Sequence, residues 1–233
     1  MNSEELFHSL SNEDLEIEGR LVDASNATLL AKIGEGDAAF PVIYKPIAGE
    51  RPLWDFPSGN LASREVAAYL VSNKAGFNLV PMTIFRDGPF GPGAVQLWID
   101  VDPEIDVISV VQSGDVRLRD MTLFDAIVNN TDRKFGHILI SPDGEVFGCD
   151  HGVTFHEEDK LRTVLWNWAG ADLLPEEIAK LEKIDSELDS WELDLLLSPS
   201  EIKALKGRVS RLLQNQKFPE PSENWPAVPW PPY

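Results

Sequence analysis

Cysteine is nearly absent. A single residue, Cys149, in 233 excludes a disulfide within the chain and a zinc cage built from cysteines, and it points to a reducing compartment. Basic residues are also scarce: 20 Lys and Arg stand against 39 Asp and Glu, for a formal net charge of −19. A surface of that sign repels phosphate backbones and anionic headgroups, so nucleic-acid binding and stable membrane association are disfavoured. A basic pocket confined to one cleft is still allowed, because field focusing is local. No apolar run approaches the roughly 20 residues needed to span a bilayer. The opening stretch "MNSEELFHSLSNEDLEIEG" is acidic and lacks the basic-then-apolar layout of a secretory leader. There is no internal repeat. These absences lead us to expect a soluble cytoplasmic protein.

What the chain does contain is 43% hydrophobic residues, enough for a real core. Its length suits one large domain or two small lobes sharing a cleft. The first part reads as strands: "LEIEGRLV" (15–22) and "ATLLAKI" (27–33), joined by the turn-type cluster "DASN", then "AAFPVIYKP" (38–46), which ends at Lys45 and Pro46. A Pro/Gly-rich stretch, 47–59, reads as loop. Residues 60–76 carry helical spacing through Leu61, Arg64, Glu65, Ala68 and Tyr69, with Asn60 as cap and Gly76 as stop. Residues 82–101 read as a hairpin.

From about residue 119 the period changes. Met121, Phe124, Ile127 and Val128 share one helical face. "HILI" and "VFGC" around a Pro-Asp-Gly turn predict a second hairpin. Helices are expected over "DKLRTVLWNWAG", "PEEIAKLEKID", "SELDSWELDLLL" and "PSEIKALKGRVSRLLQNQ", with Pro175 and Ser198-Pro199-Ser200 as starts. The tail "FPEPSENWPAVPWPPY" is rich in Pro and Trp; it either packs extended against the surface or serves as a short recognition segment for a protein partner. The expected class is α+β: a β-rich N-lobe over residues 1–100, a helical C-lobe over 101–217, and the tail over 218–233.

The most loaded stretch is "NNTDRKFGHILISPDGEVFGCDHG" (129–152). Asp132 and Asp150 stand eighteen positions apart at the two ends of a short hairpin, so they lie close in space. Two such acids in a cleft suit metal-dependent phosphoryl transfer: one deprotonates an incoming hydroxyl, the other holds a divalent cation on the nucleotide phosphates. That chemistry also needs a cation from the other lobe, oriented by an acid. Lys45 closes a strand and Glu65 lies on the next helix.

These residues resemble the lipid-kinase-like branch of the protein kinase superfamily. "NTDRKFGHIL" resembles the catalytic loop of type II phosphatidylinositol 4-kinases, "CDHG" the metal-binding Asp-Phe-Gly signature, "VIYK" the phosphate-lysine strand and "VQLWID" the hinge that contacts adenine. The chain as a whole is similar to an uncharacterised actinobacterial family described as phosphatidylinositol-kinase-like. The resemblance implies a two-lobed kinase fold that binds ATP and a divalent metal, Mg or Mn. It implies Asp132 as catalytic base, Asp150 as metal ligand, Lys45 on the phosphates with Glu65 orienting it, Gln96, Leu97, Trp98 and Ile99 as hinge, and Ser25 and Asn26 in the turn over the phosphates.

One departure stands out. Five residues after Asp132, where the family has Asn, this chain has His137. Magnesium prefers hard oxygen ligands, whereas imidazole suits softer metals such as manganese. That exchange leaves three outcomes open: a manganese site, a water in place of the missing ligand, or impaired catalysis. The turn 22–28 also lacks glycine and offers Ser25, Asn26 and Thr28 instead.

Each feature has a plainer reading. An Asp-Arg pair after a helix is most often a local ion pair, and Asp143-Gly144 is a turn. His151 follows the metal acid and either tunes the metal or packs as a core histidine. Trp166 and Trp168 are core aromatics or a substrate wall. The order and spacing together favour an ATP-dependent kinase of a small metabolite or protein hydroxyl. The alternatives are a nucleotide-binding pseudokinase without turnover, and a kinase-like cleft hosting nucleotidylation or ligation.

Overall fold

The computed structural model describes residues 2–21, 27–53, 55–56 and 61–233. Its N-terminal part is a five-stranded antiparallel sheet of β1 (Leu15–Arg20), β2 (Leu29–Ile33), β3 (Phe40–Pro46), β4 (Thr83–Gly88) and β5 (Gly91–Leu97), in the order β1-β2-β3-β5-β4. Strand alternation turns Leu29, Ala31 and Ile33 of β2 to one face, where they join Leu15, Val42, Tyr44, Ile84 and Val95. Helix α1 (Ser3–Asn12) covers that face through Leu10. Its start is a reciprocal cap: the Asn2 side chain accepts from the Glu5 N–H at 2.9 Å, and the Glu5 carboxylate accepts from the Asn2 N–H at 2.8 Å. Helix α2 (Leu61–Ala75) crosses the opposite face, packing Ala62 and Val66 against Ala94. Gly76, at φ +83°, lets the chain leave α2 in the left-handed conformation.

β3 and β5 approach closely where Lys45 leaves the sheet. A Cβ on Gly93 would lie 2.4 Å from the Lys45 carbonyl oxygen and 2.7 Å from Pro46 Cα. Only glycine fits there, so the position of the lysine is set by a residue on the neighbouring strand.

The C-terminal part holds α3 (Val107–Gln112), α4 (Arg119–Val128), the hairpin β6 (Ile138–Ile140) and β7 (Val146–Gly148), α5 (Pro175–Glu187) and α6 (Pro199–Asn215). One core runs through it, from Phe124, Ile127 and Val128 of α4 to Leu181 and Ile184 of α5 and Leu205 and Val209 of α6. That core continues into α2 through Ala67, Ala68 and Val71. Arg64 of α2 ion-pairs with Glu201 in the first turn of α6, so α2 is fastened to both halves. The result is a β-rich N-lobe over a helical C-lobe.

Four local expectations are corrected. Helices α1 and α3 stand where none was expected, and both are capped by the residue before them, Asn2 and Asp106. Residues 159–170 are not helical. Their backbone pairs with distant segments instead: Arg162 N–H with the Asn130 carbonyl, Thr163 N–H with that of Ala227, and Val164 N–H with that of Arg133. Residues 186–197 are not a continuous helix either, because α5 ends at Glu187 and Glu192 is left-handed at φ +55°. The expected cap Asn60 lies outside the described residues.

The tail runs back along the C-lobe. Phe218 N–H donates to the Ala171 carbonyl, Ala227 accepts from Thr163 N–H and from Trp166 Nε1, and Pro232 accepts from Phe135 N–H at 2.9 Å. Tyr233 packs on Phe135 at 5.6 Å between ring centroids. Trp166 is thereby tied to the tail, which favours packing for it. Among the described residues, no helix is long and apolar enough to cross a membrane.

Candidate active site

The loop after α4 begins with Asn129, left-handed at φ +55°. Its side chain donates to the carbonyls of His156 and Glu158 and accepts from Lys160 N–H. Asn130 then donates to Asp125 Oδ1 and accepts from the Asp132 N–H at 3.0 Å. Thr131 donates through both its N–H and its hydroxyl to the Val153 carbonyl. Backbone and side-chain bonds thus fix the loop on both sides of Asp132, whose carboxylate is left at the cleft with Lys134 Nζ 3.3 Å away.

Arg133 is fully buried, and all its N–H donors are committed. Nε and Nη2 bind the Asp125 carboxylate, Nη1 binds the carbonyls of His137 (3.0 Å) and Cys149 (3.1 Å), and Nη2 meets His151 Nε2 at 2.7 Å. The arginine does not pair with its neighbour Asp132. It holds the two acid-bearing loops on either side of the hairpin in register. Asp125, the buried partner on α4, was not singled out in the sequence; a lone acid on the apolar face of that helix, eight residues before an arginine, was the available signal.

Asp150 is left-handed, at φ +60°, a conformation that costs a non-glycine residue of order 1–3 kcal/mol and marks functional sites. Lys45 Nζ lies 2.5 Å from Glu65 Oε1 and 2.9 Å from Asp150 Oδ1. The other Glu65 oxygen accepts from the His151 N–H at 3.0 Å. Burial opposes the charge on Lys45, but Asp150 and Glu65 outweigh it and hold the ammonium above the ordinary lysine value. In turn Lys45 holds the Asp150 carboxyl well below the usual carboxylate range. Gly152 leaves room for this docking, since a Cβ there would meet Leu61 Cβ at 3.2 Å.

His137 completes the group. Its Nδ1 donates to the Asp132 carbonyl at 2.9 Å, which leaves Nε2 3.4 Å from Asp150 Oδ2. Burial pushes the imidazole below its ordinary value despite the pull of Asp150. A neutral ring with its proton on Nδ1 turns a lone pair toward the carboxylate, so His137 and Asp150 are the residues here that could hold a cation. His151 is buried among Phe124 and Arg133 and serves packing, as the plainer reading had it.

The cleft between the lobes has a volume of about 340 Å³. Lys45, Glu65, Asp132 and Asp150 line it, together with Thr28, Arg162 and Trp225. The expected hinge residues stand apart from that lining. Gln96 is buried and donates to Thr83 Oγ1, and the Trp98 N–H donates to the Pro41 carbonyl, so neither group is free to meet an adenine edge. Ser25 and Asn26 lie outside the described residues. Arg162 and Trp225 were missed in the sequence because each is brought to the cleft by the fold, whereas Lys134, two residues past Asp132 and paired with it, had its position in the loop as a signal.

Five antiparallel strands crossed by a helix, above a helical lobe whose short hairpin lies between Asp132 and Asp150, make a two-lobed α+β architecture. No family model matches the chain. It is 40% identical over 260 aligned positions to Protein Rv2133c of Mycobacterium tuberculosis (strain ATCC 25618 / H37Rv), covering 95% of this chain and 93% of that one. The chain belongs to the family of that mycobacterial protein. Among solved structures, the Helicobacter pylori proinflammatory kinase CtkA is similar at a TM-score of 0.47 and 12% identity, covering 90% of this chain and 94% of that one. A likeness at that level carries no argument about function.

Proposed function

We propose that this protein is an atypical kinase, transferring the γ-phosphoryl group of ATP to a hydroxyl. The observation that carries the reading is Lys45 held between Glu65 and Asp150 in a cleft that Asp132 also lines. In this reading Lys45 binds nucleotide phosphate and Glu65 keeps it oriented. Asp132 accepts the acceptor's proton as the hydroxyl oxygen attacks phosphorus and the bond to the ADP oxygen breaks. Lys134, beside Asp132, places a positive charge where the transferring group carries negative charge.

The donor set fits a divalent metal. Asp150 and His137 Nε2 would hold it, and its chemistry would be to neutralise phosphate charge. Among the described residues no group of three or more His, Cys, Asp or Glu could hold a metal. Two protein donors alone make an incomplete shell, so phosphate oxygens and water would complete it. The imidazole favours manganese over magnesium. The net charge of −19 argues against a phosphoinositide in an anionic membrane as acceptor, and for a metabolite or protein hydroxyl.

The test is phosphate transfer from labelled ATP with either metal. Asp132→Asn and Asp150→Asn should each abolish it, and full turnover in both variants would reject the roles. His137 in place of a hard oxygen ligand favours one second reading, a pseudokinase. Saturable ATP stabilisation without any product, across metals, would support it.

A further inference from the structure

The sixteen residues of the tail look separable in sequence, yet one of them lines the cleft. Trp225 stands there with Arg162, Asp132 and Thr131. Its ring lies 5.7 Å from the Arg162 guanidinium and 5.0 Å from Lys160 Nζ. Its indole Nε1 is buried and has no hydrogen-bond partner among the described residues. Two backbone bonds on its C-terminal side, from Thr163 N–H to the Ala227 carbonyl and from Phe135 N–H to that of Pro232, fasten the tail to the segment after the hairpin and to the catalytic loop. Phe135 is three residues past Asp132. The wall is therefore built from the end of the chain onto the catalytic loop itself.

Arg162 stands beside the base. Its Nε donates to the Thr131 carbonyl at 2.6 Å, and among the described residues its two terminal nitrogens make no hydrogen bond or ion pair. The acids lining the cleft are Glu50, Asp55, Glu65, Asp132 and Asp150. Glu50 accepts from Ala62 N–H, Asp55 faces Lys160 at 3.8 Å, and Glu65 and Asp150 face Lys45. Arg162 is thus a cation beside the reacting position whose outer nitrogens still lack an acceptor. The volume of about 340 Å³ is that of a small-molecule site, and the tryptophan bounds it on the acceptor side.

We infer that the acceptor is a small hydroxyl compound bearing a carboxylate or phosphate, held with its anionic group on Arg162 and its body against Trp225. This rests on the kinase reading. The hydroxyl proton passes to Asp132, a new P–O bond forms to the acceptor, and ADP leaves with the electrons of the broken bond. A guanidinium on an anion forms charge-assisted, often paired hydrogen bonds, and a fixed tryptophan face adds contact area at low entropic cost. A protein side chain would have to reach past that wall.

The experiment uses the full chain, γ-labelled ATP and manganese, with the dialysable and the retained protein fractions of a bacterial extract as separate acceptors. Label is expected in an anionic compound of the dialysable fraction. With that compound purified, Arg162→Gln and Trp225→Ala should each raise its KM about ten- to a hundredfold, the loss of one charge-assisted or stacked contact. The thermal shift given by ATP and manganese should stay unchanged, which a general loss of structure would not allow. Trp225→Leu should recover part of the loss. Label confined to the protein fraction overturns the inference and leaves the kinase reading standing, as does a dialysable acceptor whose KM neither variant moves. An absence of labelled product from both fractions removes the kinase reading itself, and the acceptor site with it.

Discussion

Arg133 and Asp125 form an ion pair with no solvent exposure on either side, Nη2 to Oδ1 at 2.8 Å. Through it α4 grips both loops that carry acids, because the same guanidinium binds the His137 and Cys149 carbonyls. A buried pair broken on one side leaves an uncompensated charge, at a cost of about 3–5 kcal/mol. Arg133→Met should lower the unfolding free energy by that much in urea titrations. Arg133→Lys should recover little of it, since an ammonium cannot span four acceptors in one plane. Gly148→Ala should also destabilise, because its Cβ would press within 3.1 Å of the guanidinium. A loss below about 1 kcal/mol in Arg133→Met, the level of a surface pair, would show that the hub is not what holds the loops.

The parts that were readable in sequence are those where local chemistry decides. Lys45 and Glu65 sit at the end of an apolar-rich strand and on a helix with regular spacing, and Asp132 and Asp150 bracket a Pro-Asp-Gly hairpin. Each carries a local sequence signal, although Gly93 on the neighbouring strand fixes where Lys45 finally stands. What could not be read depends on pairing across the fold. Residues 159–170 carry Leu161, Leu165 and Trp168 at helical spacings, yet their amides are taken by Asn130, Arg133 and Ala227, between about 30 and 60 positions away. The same holds for Trp225, whose place in the cleft follows from backbone bonds made by Ala227 and Pro232. Helix α1 has a readable start in the reciprocal cap of Asn2 and Glu5, a signal the acidic composition of the stretch masks.

His151 gives stability a pH dependence in mild acid. Burial, with Arg133 and Lys45 nearby, pushes its imidazole well below the ordinary histidine value. A depressed value means that the unfolded chain takes up the proton first. The stabilisation is then fully present above about pH 6.5 and is lost as pH falls, at up to about 1.4 kcal/mol per pH unit for each such group. His137 is depressed in the same sense. His151→Gln keeps an acceptor for Arg133 and removes one titrating ring. Urea unfolding of the metal-free protein between about pH 7 and pH 5.5 should therefore show a shallower loss in the variant than in the wild type. Equal slopes would mean that His151 is protonated in the fold.

Cys149 should be inert in the native state. Its thiol is pushed up to about 12 by burial first and by Asp150 beside it, against the opposing pull of Lys45 and Arg133. The thiolate is the reactive species, so at about pH 8 a disulfide reagent should modify the folded protein far more slowly than the urea-unfolded chain. The rate should climb in Arg133→Met if that change frees the loop. Fast, stoichiometric modification of the native protein would mean that the loop after β7 opens more readily than the bonds around Arg133 allow.

In the proposed kinase, the choice of metal would turn on one ring. With Nδ1 bound to the Asp132 carbonyl and Nε2 facing Asp150, His137 offers nitrogen where an oxygen donor would suit magnesium. Because the described residues supply two donors at this point, stabilisation by manganese alone should be small. Stabilisation by manganese with ATP should be large and should vanish with a chelator. His137→Asn substitutes an amide oxygen. It should weaken manganese-ATP binding and improve magnesium-ATP binding, moving the ratio of the two affinities by about tenfold or more toward magnesium. Thermal shift titrations with each metal at fixed ATP measure this directly. An unchanged ratio would take His137 out of the metal site and leave its bond to the loop carbonyl as its whole role, with Asp150 then the sole protein donor.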